Sequence, residues 1–100
     1  MKFGKDIEAL LYKLLLGYRR YFHNDVLNSD GRKLFEEILR MTMYEHPELR
    51  RLIYRLRRNP TVNSVLKLAK IVLGDKEAEE VYRIGVYGLY DEEYLKNEFI

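Results

Sequence analysis

The chain contains no cysteine. That absence excludes disulfide staples, thiolate metal sites and a cysteine nucleophile together. Turn formers are scarce, with six Gly, two Pro, two Ser and two Thr in 100 residues. A sandwich or barrel needs a turn signal roughly every 8–12 residues, and this supply is too thin for either. Apolar runs are short, Leu14–Leu16 among them, far from the roughly 20 residues of a membrane span. The opening Met1-Lys2-Phe3-Gly4-Lys5-Asp6 lacks the apolar stretch of a secretion signal. Glutamine is missing as well, while Lys, Arg, Glu and Tyr are abundant. Thermolabile side chains are depleted and charges enriched in proteins from hot environments. The expectation is a thermophilic host or one of its viruses or plasmids, although chance in a short chain gives the same pattern.

Apolar residues form 47% of the chain and charged residues 34%, a balance that builds a core rather than a disordered tail. The length fits a single domain, residues 1–100. Together these features predict a soluble, cytoplasmic, all-α protein, a compact orthogonal bundle of five to six short helices with no sheet.

The net charge of +2 conceals an asymmetry, because residues 1–70 carry +7 and residues 71–100 carry −5. Between Glu48 and Asp75 there is no acid, but seven bases: Arg50, Arg51, Arg55, Arg57, Arg58, Lys67 and Lys70. Such a block can meet phosphates, an acidic partner, or the acidic C-terminal third of its own chain.

Apolar spacing of three and four predicts helix one over about Asp6–Phe22, with Ile7, Leu10, Leu11, Leu14, Leu15, Tyr18, Tyr21 and Phe22 on one face. A second strip, Ala9, Tyr12 and Leu16, falls roughly opposite and predicts a homodimer interface. Residues 23–28 read as a loop. Ser29 or Asp30 can cap helix two, about Gly31–Tyr44. Pro47 opens helix three, to about Arg57, with Leu49, Leu52, Ile53 and Leu56 inward. After Asn59-Pro60, helix four runs to Leu73 and its wide apolar arc predicts the central, most buried helix. Leu52, Leu56, Val65, Leu66 and Leu68 are expected among the most buried residues. Gly74 and Asp75 separate it from helix five, about Lys76–Tyr87. A short last helix is expected from Asp91 to Phe99.

Residues able to carry catalysis do not converge. His23 and His46 stand at helix boundaries without a second histidine at metal-ligand spacing. Ser29 and Ser64 lack a glycine elbow, and Glu36-Glu37 and Asp91-Glu92-Glu93 read as solvated faces. The expectation is no enzyme, cofactor, metal, membrane or small-molecule substrate.

Helix three is different. Docking its apolar face turns Arg50, Arg51, Arg55, Arg57 and Arg58 outward around Tyr54. Arginine matches phosphate bidentately, and tyrosine donates to phosphate or stacks on a base. Asn63, Lys67 and Lys70 form the polar edge of helix four and extend that surface if the two helices cross. These nine residues are the candidate nucleic-acid-binding site, with DNA favoured over RNA. The alternative is a helical interaction subunit whose arginine face docks on an acidic protein.

The stretch Arg58-Asn59-Pro60-Thr61-Val62-Asn63-Ser64-Val65-Leu66-Lys67-Leu68-Ala69-Lys70, ending near Gly74, resembles the segment after the recognition helix in lambda-repressor-like helix-turn-helix domains. The resemblance implies a DNA-binding regulator with Pro47–Arg57 as recognition helix in the major groove. Arg40 and Tyr44 stand where that family has a small residue and a turn glycine. Arginines replace its Ser/Thr/Gln-rich reading surface, which implies phosphate contact more than base reading.

Overall fold

The first buried stripe forms α1, Lys5–Leu16, in the computed structural model, which describes residues 2–88. Ile7, Leu11, Leu14 and Leu15 are all fully buried, and Asp6 and Glu8 stand in the first turn, where the helix end favours carboxylates. The helix stops at Gly17 instead of running on to Phe22. A four-residue helix, α2 (Tyr18–Tyr21), then leads into β1 (Phe22–His23) and β2 (Val26–Leu27).

These strands correct the expectation of a loop and of no sheet. Phe22 pairs with Leu27 and His23 with Val26, antiparallel. Asn24 and Asp25 at the tip both have positive φ, 52° and 63°. A two-residue hairpin turn of this kind demands such angles, and Asn and Asp tolerate them. The Tyr18 hydroxyl donates to Asp25, and the Tyr18 ring stacks on Phe22 at 5.1 Å. The hydrogen bond, then burial, pushes the Tyr18 phenol up to about 12.

Helix α3, Ser29–Glu45, is capped by Asn28 rather than Ser29 or Asp30, its side chain accepting from Gly31 N–H at 2.9 Å. A Cβ on Gly31 would overlap the Tyr21 carbonyl, so glycine permits the close seat of α3 on the end of α2. After His46, a 3-10 turn at Pro47–Leu49 leads into α4, Arg50–Arg58. Thr61 caps α5, Val62–Leu73, accepting from Ser64 N–H at 3.4 Å. Gly74 (φ 93°) joins it to α6, Asp75–Tyr87. The predicted helix at Asp91–Phe99 lies outside the described residues.

The architecture is an all-α bundle carrying one two-residue ladder. Helix α1, not α5, is its centre, packing on α3, α5 and α6. At Gly85 a Cβ would overlap the Leu15 carbonyl oxygen, so α6 and α1 touch backbone to backbone. Leu56, Val65 and Leu68 are buried as expected, whereas Leu52 and Leu66 are half-buried. Tyr12 and Leu16 pack against the core, and the Tyr12 hydroxyl donates to Glu77 of α6. That bond, with burial, pushes the Tyr12 phenol up to about 12. Only Ala9 of the expected dimer strip is left exposed, because α6 supplies within one chain the cover that a second copy would give.

The hairpin also fixes where α4 ends. Leu27 N–H donates to the Pro60 carbonyl and Val62 N–H to the Asp25 carbonyl, both at 2.9 Å. Val26 bridges to Thr61. These bonds clamp the α4–α5 connection to the hairpin and hold the C-terminal end of α4 in place.

Candidate nucleic-acid interface

Helix α4 is nine residues with apolar side chains on one side only. Ile53 and Leu56 are buried, and Leu49 and Leu52 pack partly beneath them. Arg50, Arg51, Tyr54, Arg55, Arg57 and Arg58 are consequently all exposed. Burying the long charged side chains would cost far more than leaving them in water. Asn59 ends the helix, its N–H donating to the Leu56 carbonyl and its side-chain amide to that of Arg55.

The nearest carboxylates decide whether this face is neutralised. Glu45 accepts from Gly4 N–H at 2.8 Å. Glu48 meets His46 Nδ1 at 3.1 Å; its own backbone N–H, then His46, holds its carboxyl below the usual range. His46 Nε2 meets the Lys2 carbonyl, and its ring lies 4.5 Å from Phe3. His46 therefore tethers the N-terminal segment. Glu36 of α3 takes Arg57 in a bidentate pair, Nη2 to Oε1 at 2.9 Å and Nε to Oε2 at 3.0 Å. The Arg57 guanidinium also lies 5.8 Å from the Tyr54 ring centre. Among the described residues, Arg50, Arg51, Arg55 and Arg58 have no ion pair.

The acids of α6 do not reach these arginines. Glu77 accepts from Tyr12, and Glu79 takes Lys70 at 3.3 Å. Lys70 therefore turns toward α6. Asn63 and Lys67 remain exposed on α5, followed at i+4 by the exposed Ile71. Helix α5 packs mainly on α6 and α1, and α4 mainly on α3. The structure thus gathers the α4 residues on one face, leaves Asn63 and Lys67 exposed on α5, and pairs Lys70 with Glu79 of α6.

Sequence reasoning left out the contribution of α3. The Glu36–Arg57 pair joins α4 to α3 at an exposed row on that helix, Arg32, Glu36, Arg40 and Tyr44, spaced by four. That i, i+4 row was visible in the sequence; its neighbour on α4 was not. A groove between the helices is lined by Arg32, Phe35, Glu36, Leu39, Arg57 and Pro60. His23 is exposed at the hairpin, and no cluster of three or more potential metal ligands occurs among the described residues. No described helix is long and apolar enough to cross a membrane. Comparison with family models, curated proteins and solved structures finds no match to this chain.

Proposed function

We propose that this protein is a noncatalytic nucleic-acid-binding factor, a regulator or accessory protein, that meets phosphates with the arginine face of α4. One observation carries the reading: four exposed guanidiniums share a short helix without a carboxylate partner among the described residues. Unpaired guanidiniums clustered this densely repel one another, and a polyanion relieves that repulsion while releasing its own counterions. DNA is the first candidate, with α4 nearest the strand as the helix-turn-helix likeness implies. If the four arginines each neutralise one phosphate, log affinity falls against log salt with slope about −3.6 on duplex DNA. A titration at several salt concentrations tests this. Binding that is absent, or indifferent to salt, contradicts the proposal.

The bidentate grip of Arg57 on Glu36 favours a second reading, in which the same face docks on an acidic protein. Polyglutamate of matched charge separates the two. Under the first reading it competes poorly with nucleic acid; equal competition moves the acidic-partner reading to first place.

A further inference from the structure

The α3–α4 face has two features that phosphate contacts alone do not use. Tyr44 is 90% exposed and Tyr54 48%. Aromatic surface left in water contributes little to folding, yet both rings stand within arginine rows. Tyr44 follows Arg40 on α3, and Tyr54 lies between Arg50 and Arg57 on α4. The second feature is the groove between the helices, about 180 Å³ in volume. Pockets that enclose a whole small molecule run from roughly 300 to 1,000 Å³, so this one suits a single ring system of a larger ligand.

The lining narrows the chemistry. Phe35 and Leu39, both buried, and Pro60 give the groove an apolar floor, with Arg32 and Arg57 at its edges. The Glu36 carboxylate repels a phosphate at that point. Both of its oxygens bond Arg57, and each keeps lone-pair capacity for another N–H donor. A flat, uncharged heterocycle with N–H groups on its edge meets all of these conditions.

We infer that the ligand is a single-stranded nucleic acid, with phosphates on the α4 arginines, bases stacked on Tyr44 and Tyr54, and one unstacked base in the α3–α4 groove. The inference rests on the nucleic-acid reading above and specifies its substrate. A duplex keeps its base faces against one another, whereas a single strand offers them to exposed aromatics regardless of sequence. The surrounding guanidiniums supply the backbone attraction such sites combine with stacking.

Fluorescence anisotropy with the full chain tests this, using single-stranded DNA, the same sequence as RNA, a duplex, and a strand of abasic sites. The four probes carry equal numbers of phosphates and are compared at one salt concentration. The normal single strand, DNA or RNA, should bind at least about fivefold tighter than the abasic strand, the low end for one base stacked on an aromatic side chain. The better of DNA and RNA identifies the preferred backbone. The double variant Tyr44→Ala/Tyr54→Ala should erase most of that difference, and Tyr44→Phe/Tyr54→Phe should keep it. Equal binding of abasic strand, duplex and normal strand overturns the single-strand inference while leaving the phosphate reading intact. No binding of any probe overturns both.

Discussion

Two consecutive helix pairs of this molecule treat charge in opposite ways. In α5–α6 three charged groups find partners inside the chain: Lys70 takes Glu79, and Glu77 takes the Tyr12 hydroxyl. In α3–α4 one bidentate pair, Arg57–Glu36, ties the helices together, while Arg50, Arg51, Arg55 and Arg58 are left without an ion pair among the described residues. The difference follows from what each pair must cover. Helix α6 lies across the central α1 so closely that only glycine fits at position 85, and its polar groups close over the half-buried Tyr12. Helix α4 buries one narrow stripe, and its outer side is exposed among the described residues. A basic block in sequence is therefore two things in space: on α5, Lys70 held by Glu79 beside an exposed Lys67, and on α4, a row of arginines without an ion pair among the described residues.

The largest effect that separates the pairs is on stability. Leu68 of α5 is fully buried, and Leu68→Ala should cost about 2–5 kcal/mol by urea unfolding. Arg51→Ala on the open face should change stability by no more than about 0.5 kcal/mol. An Arg51 variant as unstable as the Leu68 variant would show that the α4 face is a packing surface.

A smaller effect comes from the tie between α3 and α4. Both partners of the Arg57–Glu36 pair are partly exposed, so a double-mutant cycle to alanine should give a coupling of about 0.2–1 kcal/mol. The coupling for Lys70–Glu79, a single contact at 3.3 Å, should fall at the bottom of that range. Reversal of this order would mean that the α5–α6 pair, not the bidentate one, is the stronger clasp.

The subtlest contrast appears in alkali. The Tyr12 and Tyr18 phenols are raised to about 12 by donating to Glu77 and Asp25, from an ordinary value near 10. The folded state then holds their protons more tightly than the unfolded state. The stabilisation is complete below pH 10 and is lost as pH rises toward 12. Tyr12→Phe and Tyr18→Phe should each reduce the fall in stability across that window, followed by circular dichroism.

Periodicity located the long helices because one narrow property, the side facing the core, repeats locally. The start of α6 and the ends of α4 and α5 fall within a residue of where the apolar spacing placed them. The break at Gly17 was hidden because Tyr18, Tyr21 and Phe22 continue the apolar period beyond it. The hairpin was hidden because Asn24-Asp25 reads as any polar loop until positive φ is seen. Centrality was misjudged for a related reason: α5 has the wider apolar arc, but α1 has neighbours on more sides. At the site, the outward arginines of α4 were legible from its own stripe. Glu36 was not, since its place beside α4 depends on a contact 21 residues apart in sequence.

The central claim is that the α4 arginines meet phosphate without giving up an ion pair, whereas Lys70 of α5 must first release Glu79. It is tested most directly by the slope of log affinity against log salt on one DNA duplex for three proteins: the unaltered chain, Arg51→Ala/Arg55→Ala, and Lys70→Ala. The account predicts a slope of about −3.6 for the unaltered chain, flattened by about 1.8 in the arginine variant. Lys70→Ala should leave it unchanged, because Glu79 already holds that ammonium. A Lys70→Ala slope flattened as far as that of the arginine variant, or an arginine variant with an unaltered slope, would contradict it.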